Sequence, residues 1–224
     1  RAPYVMAKAD IGFDRGQQLE DTTLGWRMIN PKMRAAYGVD SMAQTAENLA
    51  GQFGIGRADQ DAFAYRSQQR AARAIADGVL EGEILPAGTL SRDEHPRADT
   101  TREKLAELKP ITGADGTITA GNASGLNDGS AALLLASPQA VATYGLRPRA
   151  RITGMASAGV APRIMGYGPV PAIEKLLARQ GLGFAQIDRL EINEAFAAQV
   201  LAVSRAFGLA DDAELLNRHG GALA

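Results

Sequence analysis

The stretch "SAALLLASPQAVATYG", residues 130–145, changes character at its middle. An apolar run of strand length stops at Ser137. There a serine stands at the N-cap position, Pro138 at the first helical position and Gly145 just past the last turn. The spacing predicts a buried strand followed by a helix, and the chain repeats that pattern twice more. "ARITGMASAG" (150–159) reads as a strand with a glycine inside it, and "PVPAIEKLLARQG" (169–181) as a helix entered through proline and closed by Gly181. "DRLEIN" (188–193) reads as a strand, and "EAFAAQVLAVSRAFG" (194–208) as a helix closed by Gly208. Alternating strands and helices predict an α/β fold in which the strands lie between helical layers.

Upstream, the first forty residues carry turn signals and little periodicity. "QTAENLAGQF" (44–53) predicts a short helix with Thr45 as N-cap and Gly54 as its stop. "RADQDAFAYRSQQRAARAIADG" (57–78) predicts a longer one, with Ala62, Tyr65, Ala72 and Ile75 along one stripe and the charged face in solvent. Residues 81–110 form a polar excursion, rich in Pro, Asp, Thr and Arg, in which only "TTREKLAELK" has helical spacing. Excursions of that length in compact proteins tend to be functional or disordered.

Composition narrows the function. The chain has 224 residues, 46% hydrophobic and 22% charged, with a net charge of −1. It can bury a core, and it lacks the basic field that would neutralise phosphates along a nucleic acid. There are no cysteines and only two histidines, His95 and His219, so disulfides, a thiol nucleophile within these residues and a metal site are not expected. His95, in the charged excursion, reads as a solvated surface residue. No apolar run approaches membrane-spanning length, so a soluble, cytoplasmic setting is expected. The first residue is Arg1 and the last are "NRHGGALA", which predicts that both ends are cut.

Three stretches are candidates for chemistry. "TAGNASGLNDG" (119–129) has an unusually bare backbone, suited to a tight turn or to close approach by a ligand, but its glycines match neither the Walker nor the dinucleotide spacing. "LEINEAFAAQ" puts Asn193 and Glu194 where a strand meets a helix. Asn193 reads either as the cap with Glu194 answering the helix dipole, or as a side-chain amide aimed at a water or a developing oxyanion. "GVAPRIMGYGPVPA" (159–172) reads as a rigid loop whose Met165 either fills a gap in the core or lines an apolar ligand surface.

Together, "RAPYVM", "DSMAQTAEN", "RADQDAFAYRSQQRA", "DEHPRADTT", "TAGNASGLNDGSAALLLAS", "VAPRIMGYGPVPA", "EINEAFAAQ" and "NRHGGALA" resemble the thiolases, in order and approximate spacing over nearly the whole chain. The wording is most similar to the branch of 3-oxoadipyl-CoA and related 3-ketoacyl-CoA thiolases. The resemblance implies a layered α-β-α-β-α fold, truncated at both ends. Residues 1–124 would form a CoA-binding and oligomerisation loop domain, 125–150 the last strand and helix of the N-terminal core, and 151–224 a truncated C-terminal core.

Thiolases carry an acyl group on a cysteine and make or break a carbon–carbon bond beside a thioester carbonyl, so preorganised donors must meet charge developing on thioester oxygens. By resemblance, Asn193 would hold the water of one oxyanion hole and Ser124 would contact the pantetheine arm. Met165 and Met42 would line the channel with Ala120, Ala195 and Phe196 nearby, and Arg97 would face the adenine or phosphate end of CoA. CoA would be a substrate; no cofactor or metal is implied. The parent enzyme would be a homodimer or homotetramer acting in fatty-acid or aromatic-acid breakdown.

Departures from the pattern carry information too. The family's nucleophilic cysteine precedes "RAPY", and its "GHP" histidine and second cysteine follow "GGALA", so this chain alone is expected to be inactive, poorly soluble or loosely packed. His219 stands where the family usually has asparagine, and Ser41 where some members have histidine. Alternatives in other classes are a non-catalytic CoA-binding or assembly module, and a lipid-transfer or condensing relative.

Overall fold

The computed structural model describes residues 3–8, 12, 13 and 15–224; residues 1 and 2 of the opening motif lie outside it. Near the N-terminus β1 (Tyr4–Met6) and β2 (Leu19–Asp21) pair antiparallel with Val5 opposite Glu20, a hairpin that the turn-rich sequence does not announce. Seven α-helices follow among the described residues. They are α1 (Pro31–Tyr37), α2 (Met42–Phe53), α3 (Arg57–Ala76), α4 (Arg102–Ala106), α5 (Pro138–Tyr144), α6 (Pro169–Gln180) and α7 (Ala197–Ala206). Tighter 3₁₀ turns cover Pro162–Tyr167 and Phe184–Gln186.

Local chemistry fixes most helix ends. Ser137 accepts from the Ala140 N–H at the start of α5, Pro138 follows it, and Gly145 ends the helix in the left-handed region. Gly181 ends α6 in the same way. α2 begins four residues earlier than expected, because Ser41, not Thr45, is its cap and accepts from the Gln44 N–H at 3.1 Å. Thr45 is instead buried inside α2, its hydroxyl donating to the Met42 carbonyl.

The core is built around α7, whose residues Ala197 to Ser204 are all buried. Its run of alanines lets neighbouring backbones approach closely. Ala46, Leu49 and Ala50 of α2 pack on it from one side, and Phe63 and Ala64 of α3 from another. Each fully buried Leu or Val in this cluster, such as Leu49, Val200 and Leu201, contributes about 1.5–3 kcal/mol.

The buried side of α3 is not the expected one. It runs through Gln60, Phe63, Ala64, Ser67, Ala71 and Ala74, whereas Ile75 is exposed. Asp61 and Arg70 are buried as well, so the charged residues are not simply solvated. What overrides the apolar stripe is polar partnering across the core, described below.

The predicted strands also differ. Residues 124–137 and 150–161 form no strand, and Leu133, Leu134, Leu135, Ile152 and Met155 are exposed. A strand exists only through a ladder partner, and no described strand runs beside these segments. "DRLEIN" does find a partner: Leu190 forms a parallel bridge with Leu216, donating to the Leu215 carbonyl and accepting from the Asn217 N–H, both at 2.9 Å. Among the described residues no helix is long and apolar enough to cross a membrane.

Candidate functional site

Two of the candidate stretches meet. The Ser124 N–H donates to the Ala195 carbonyl at 3.0 Å, the Ala197 N–H donates to the Asn122 carbonyl at 2.9 Å, and Ala123 pairs antiparallel with Phe196. This short ladder sets Ser124, Ala195 and Phe196 on one strip at the N-terminal end of α7. Asn122 is buried and faces the protein. Its amide nitrogen donates to Asp61 and to the Thr117 carbonyl, and its Oδ1 accepts from the Thr119 N–H. Ala120 is exposed on the turn that this amide closes.

The bareness of this stretch is required by the protein's own packing. A Cβ on Gly121 would stand 2.5 Å from Leu105 Cδ2 and 2.6 Å from Leu108 Cδ1. One on Gly125 would run into the His95 ring. His95 is therefore not the solvated residue expected: it is partly buried against the loop, with a buried Nδ1 that has no hydrogen-bond partner among the described residues. Arg97, two residues on, is exposed, and its main-chain N–H donates to Gln68 on α3 at 2.8 Å.

At the second junction the capping reading is overturned. Phe196, not Asn193, occupies the N-cap of α7, and no side chain caps this helix. Glu194 is 1% exposed and reaches across the core. It accepts from the Ser67 hydroxyl at 2.6 Å, from the Asn217 amide at 2.9 Å and from the Leu223 N–H at 3.2 Å. Asn217, in a left-handed backbone conformation, also bonds both main-chain groups of Ile192. These bonds clamp the residues on either side of Asn193, which itself stays exposed. Burial raises the carboxyl of Glu191, an effect that the nearby His219 opposes.

Arg70 holds the same region from α3, donating to the carbonyls of Asp212, Ala213 and Leu216. Its neighbour Arg66 lies over the Phe63 ring, and burial lowers its pKa, with the Arg70 charge adding to the effect.

Met165 and Met42 lie together. They line a cleft of about 200 Å³ with Trp26, Tyr37, Asp40 and Arg163. Met165 is half exposed, so it is not a core filler. The turn that carries it is seated by Gly166, where a Cβ would press on Gln199 of α7 and Leu49 of α2. Hence α2 and α7 connect the cleft to the strip bearing Ser124 and Phe196. Sequence reasoning did not find Trp26 or Tyr37, because nothing local links them to Met165, and it passed over Arg163 although that residue stands two positions before Met165.

The match to known families covers almost the whole chain: residues 2–139 match the thiolase N-terminal domain and residues 146–224 the thiolase C-terminal domain. The chain belongs to the thiolase family. The beta-ketoadipyl-CoA thiolase of Pseudomonas aeruginosa is 59% identical over all of this chain and 58% of its own length. The acetyl-CoA acetyltransferase of Escherichia coli is 46% identical, with 57% of its length covered. A crystal structure of human mitochondrial 3-ketoacyl-CoA thiolase in complex with CoA superposes with a TM-score of 0.86 at 40% identity, over 100% of this chain and 56% of that one. The thiolase chain described here thus spans a little over half the length of the curated relatives it matches, and its path is that of the α/β thiolase fold even where its strands are unpaired.

Proposed function

We propose that this chain is the CoA-cradling portion of an acyl-CoA acyltransferase, which transfers an acyl group between a 3-ketoacyl-CoA and CoA in fatty-acid or aromatic-acid breakdown. The observation that carries the reading is the ladder between Asn122–Ser124 and Ala195–Ala197, which presents Ser124, Ala195 and Phe196 side by side. Ser124 contacts the pantetheine arm, Met165 and Met42 line the channel beside that arm, Ala195 and Phe196 lie near its reactive end, Ala120 borders the arm, and Arg97 serves the adenine or phosphate end. Asn193, left free by the Glu194 clamp, orients the water that meets charge on the thioester oxygen.

With no cysteine in its 224 residues, this chain holds CoA esters without turning them over. Residues 1–124, 125–150 and 151–224 act as loop domain, end of the N-terminal core and C-terminal core. The parent enzyme is a cytoplasmic homo-oligomer.

Trp26 is the chain's only tryptophan and lines the cleft with Met42 and Met165. Titration with CoA is expected to change its fluorescence saturably. A folded chain whose Trp26 signal ignores CoA up to millimolar concentration would contradict the reading.

A further inference from the structure

The cleft beside Met165 has two walls that come from distant parts of the sequence. One carries Trp26 and Asp40, the other Arg163 and Met165 on the 3₁₀ turn Pro162–Tyr167. Helix α2 supplies the link, because one of its side chains bonds to both. Asn48 donates from Nδ2 to Asp40 Oδ2 at 2.8 Å and to the Arg163 carbonyl at 2.9 Å, and its Oδ1 accepts from Arg163 Nη2 at 3.4 Å. The main chain of the same aspartate carries the first wall further: the Trp26 indole N–H donates to the Asp40 carbonyl at 2.8 Å. In the second wall the turn kinks at Ile164 (φ −125°, ψ 34°), so the carbonyl that Asn48 grips lies at the bend, two residues before Met165.

We infer that Asn48 is a positioning residue: it sets the spacing between the Trp26 wall and the Met165 wall, and with it the width of the channel that takes the pantetheine arm. The inference rests on the CoA reading above and adds to that site a residue that acts through its neighbours. A primary amide suits the task, because one planar group offers two donors and an acceptor. Here the donors go to an oxygen on each wall and the acceptor meets a guanidinium. Without this link CoA must order the two walls as it binds, and that cost is subtracted from its affinity. The fold does not depend on the link. Phe53 of α2 stacks on Tyr167 with ring centroids 4.8 Å apart, and Gly166 sits against Leu49 and Gln199, so the turn stays docked when Asn48 is shortened.

The test takes two readings on the folded 224-residue chain: the emission of Trp26 without ligand, and the affinity for CoA by calorimetry. Trp26 is the only tryptophan, so its emission reports one wall directly. Asn48→Ala is expected to shift that emission to the red and to weaken CoA binding about tenfold, the order expected when hydrogen bonds of this kind are lost. Asn48→Asp, which sets two carboxylates face to face, should weaken binding further. Adding Asp40→Asn to it exchanges donor and acceptor and should recover most of the affinity and the wild-type emission. Arg205→Gln cuts the ion pairs with Asp59 and Asp211 at the far end of α7 and should leave both readings unchanged, which controls for general destabilisation. Wild-type emission or wild-type affinity in Asn48→Ala, or no recovery in the double variant, would overturn the inference while leaving CoA binding intact. Failure of the folded wild type to bind CoA would overturn the CoA reading and this inference with it.

Discussion

The Ser67 hydroxyl donates to the Glu194 carboxylate at 2.6 Å, between two residues 127 positions apart and both buried. Through this bond α3 grips the turn that carries Asn193. The same hydroxyl accepts from the Gly221 N–H at 3.1 Å, so one side chain joins three segments.

Removing it should therefore cost more than one ordinary hydrogen bond. Ser67→Ala leaves the buried carboxylate one donor short and the Gly221 N–H without its acceptor, an expected loss of about 1–3 kcal/mol in urea unfolding. Glu194→Ala strips partners from Ser67, Asn217 and Leu223 at once and should cost at least as much. Unfolding midpoints unchanged in both variants would show that the clamp does not support the fold.

Gly121 tests why the "GNASG" backbone is bare. Gly121→Ala drives a methyl group into Leu105 and Leu108, and overpacking of this kind costs about 1–3 kcal/mol. Gly129→Ala, where a Cβ meets nothing within 4 Å, should fall within about 0.5 kcal/mol of wild type. Equal effects at the two positions would mean that backbone freedom, not packing, sets the glycine requirement.

Glu47 on α2 predicts an acid dependence. Burial alone would raise its pKa, but the hydroxyls of Thr112 and Thr117 and the amides of Thr117 and Ile118 outweigh burial and hold it below its ordinary 4.5. A carboxyl depressed in the folded state stabilises the fold fully above the unfolded value, and that contribution is lost as pH falls through the folded value. Asp211, lowered by its hydrogen bond to Arg205, acts with the same sign. Stability should therefore fall as pH drops below about 4.5, and Glu47→Gln should flatten the slope. An identical slope in the variant would remove Glu47 from the account.

Much of the fold was legible where the signal is local. Ser137, Pro138 and Gly145 specify α5 from within ten residues, and Gly54 and Gly181 stop their helices as read. The strands were legible as apolar runs but not as strands, because Leu133 to Leu135 carry no information about which segment would pair with them. Long-range polar contacts were invisible for the same reason. Glu194 looked like a helix-dipole residue because Asn217 and Ser67 lie far away in sequence. Likewise, Trp26 lies far in sequence from Met165 and Arg163, so nothing marked it as part of their cleft. Motif resemblance supplied the family; geometry supplied what holds the motifs together.

The central claim is that the strip joining Ser124 to Ala195 and Phe196 cradles pantetheine. Calorimetric titration of the purified chain with CoA tests it most directly, with Ser124→Trp as the blocked control. The account predicts saturable CoA binding that Ser124→Trp abolishes while the variant still unfolds cooperatively. Absence of CoA binding to a folded wild-type chain, or undiminished binding by Ser124→Trp, would contradict it.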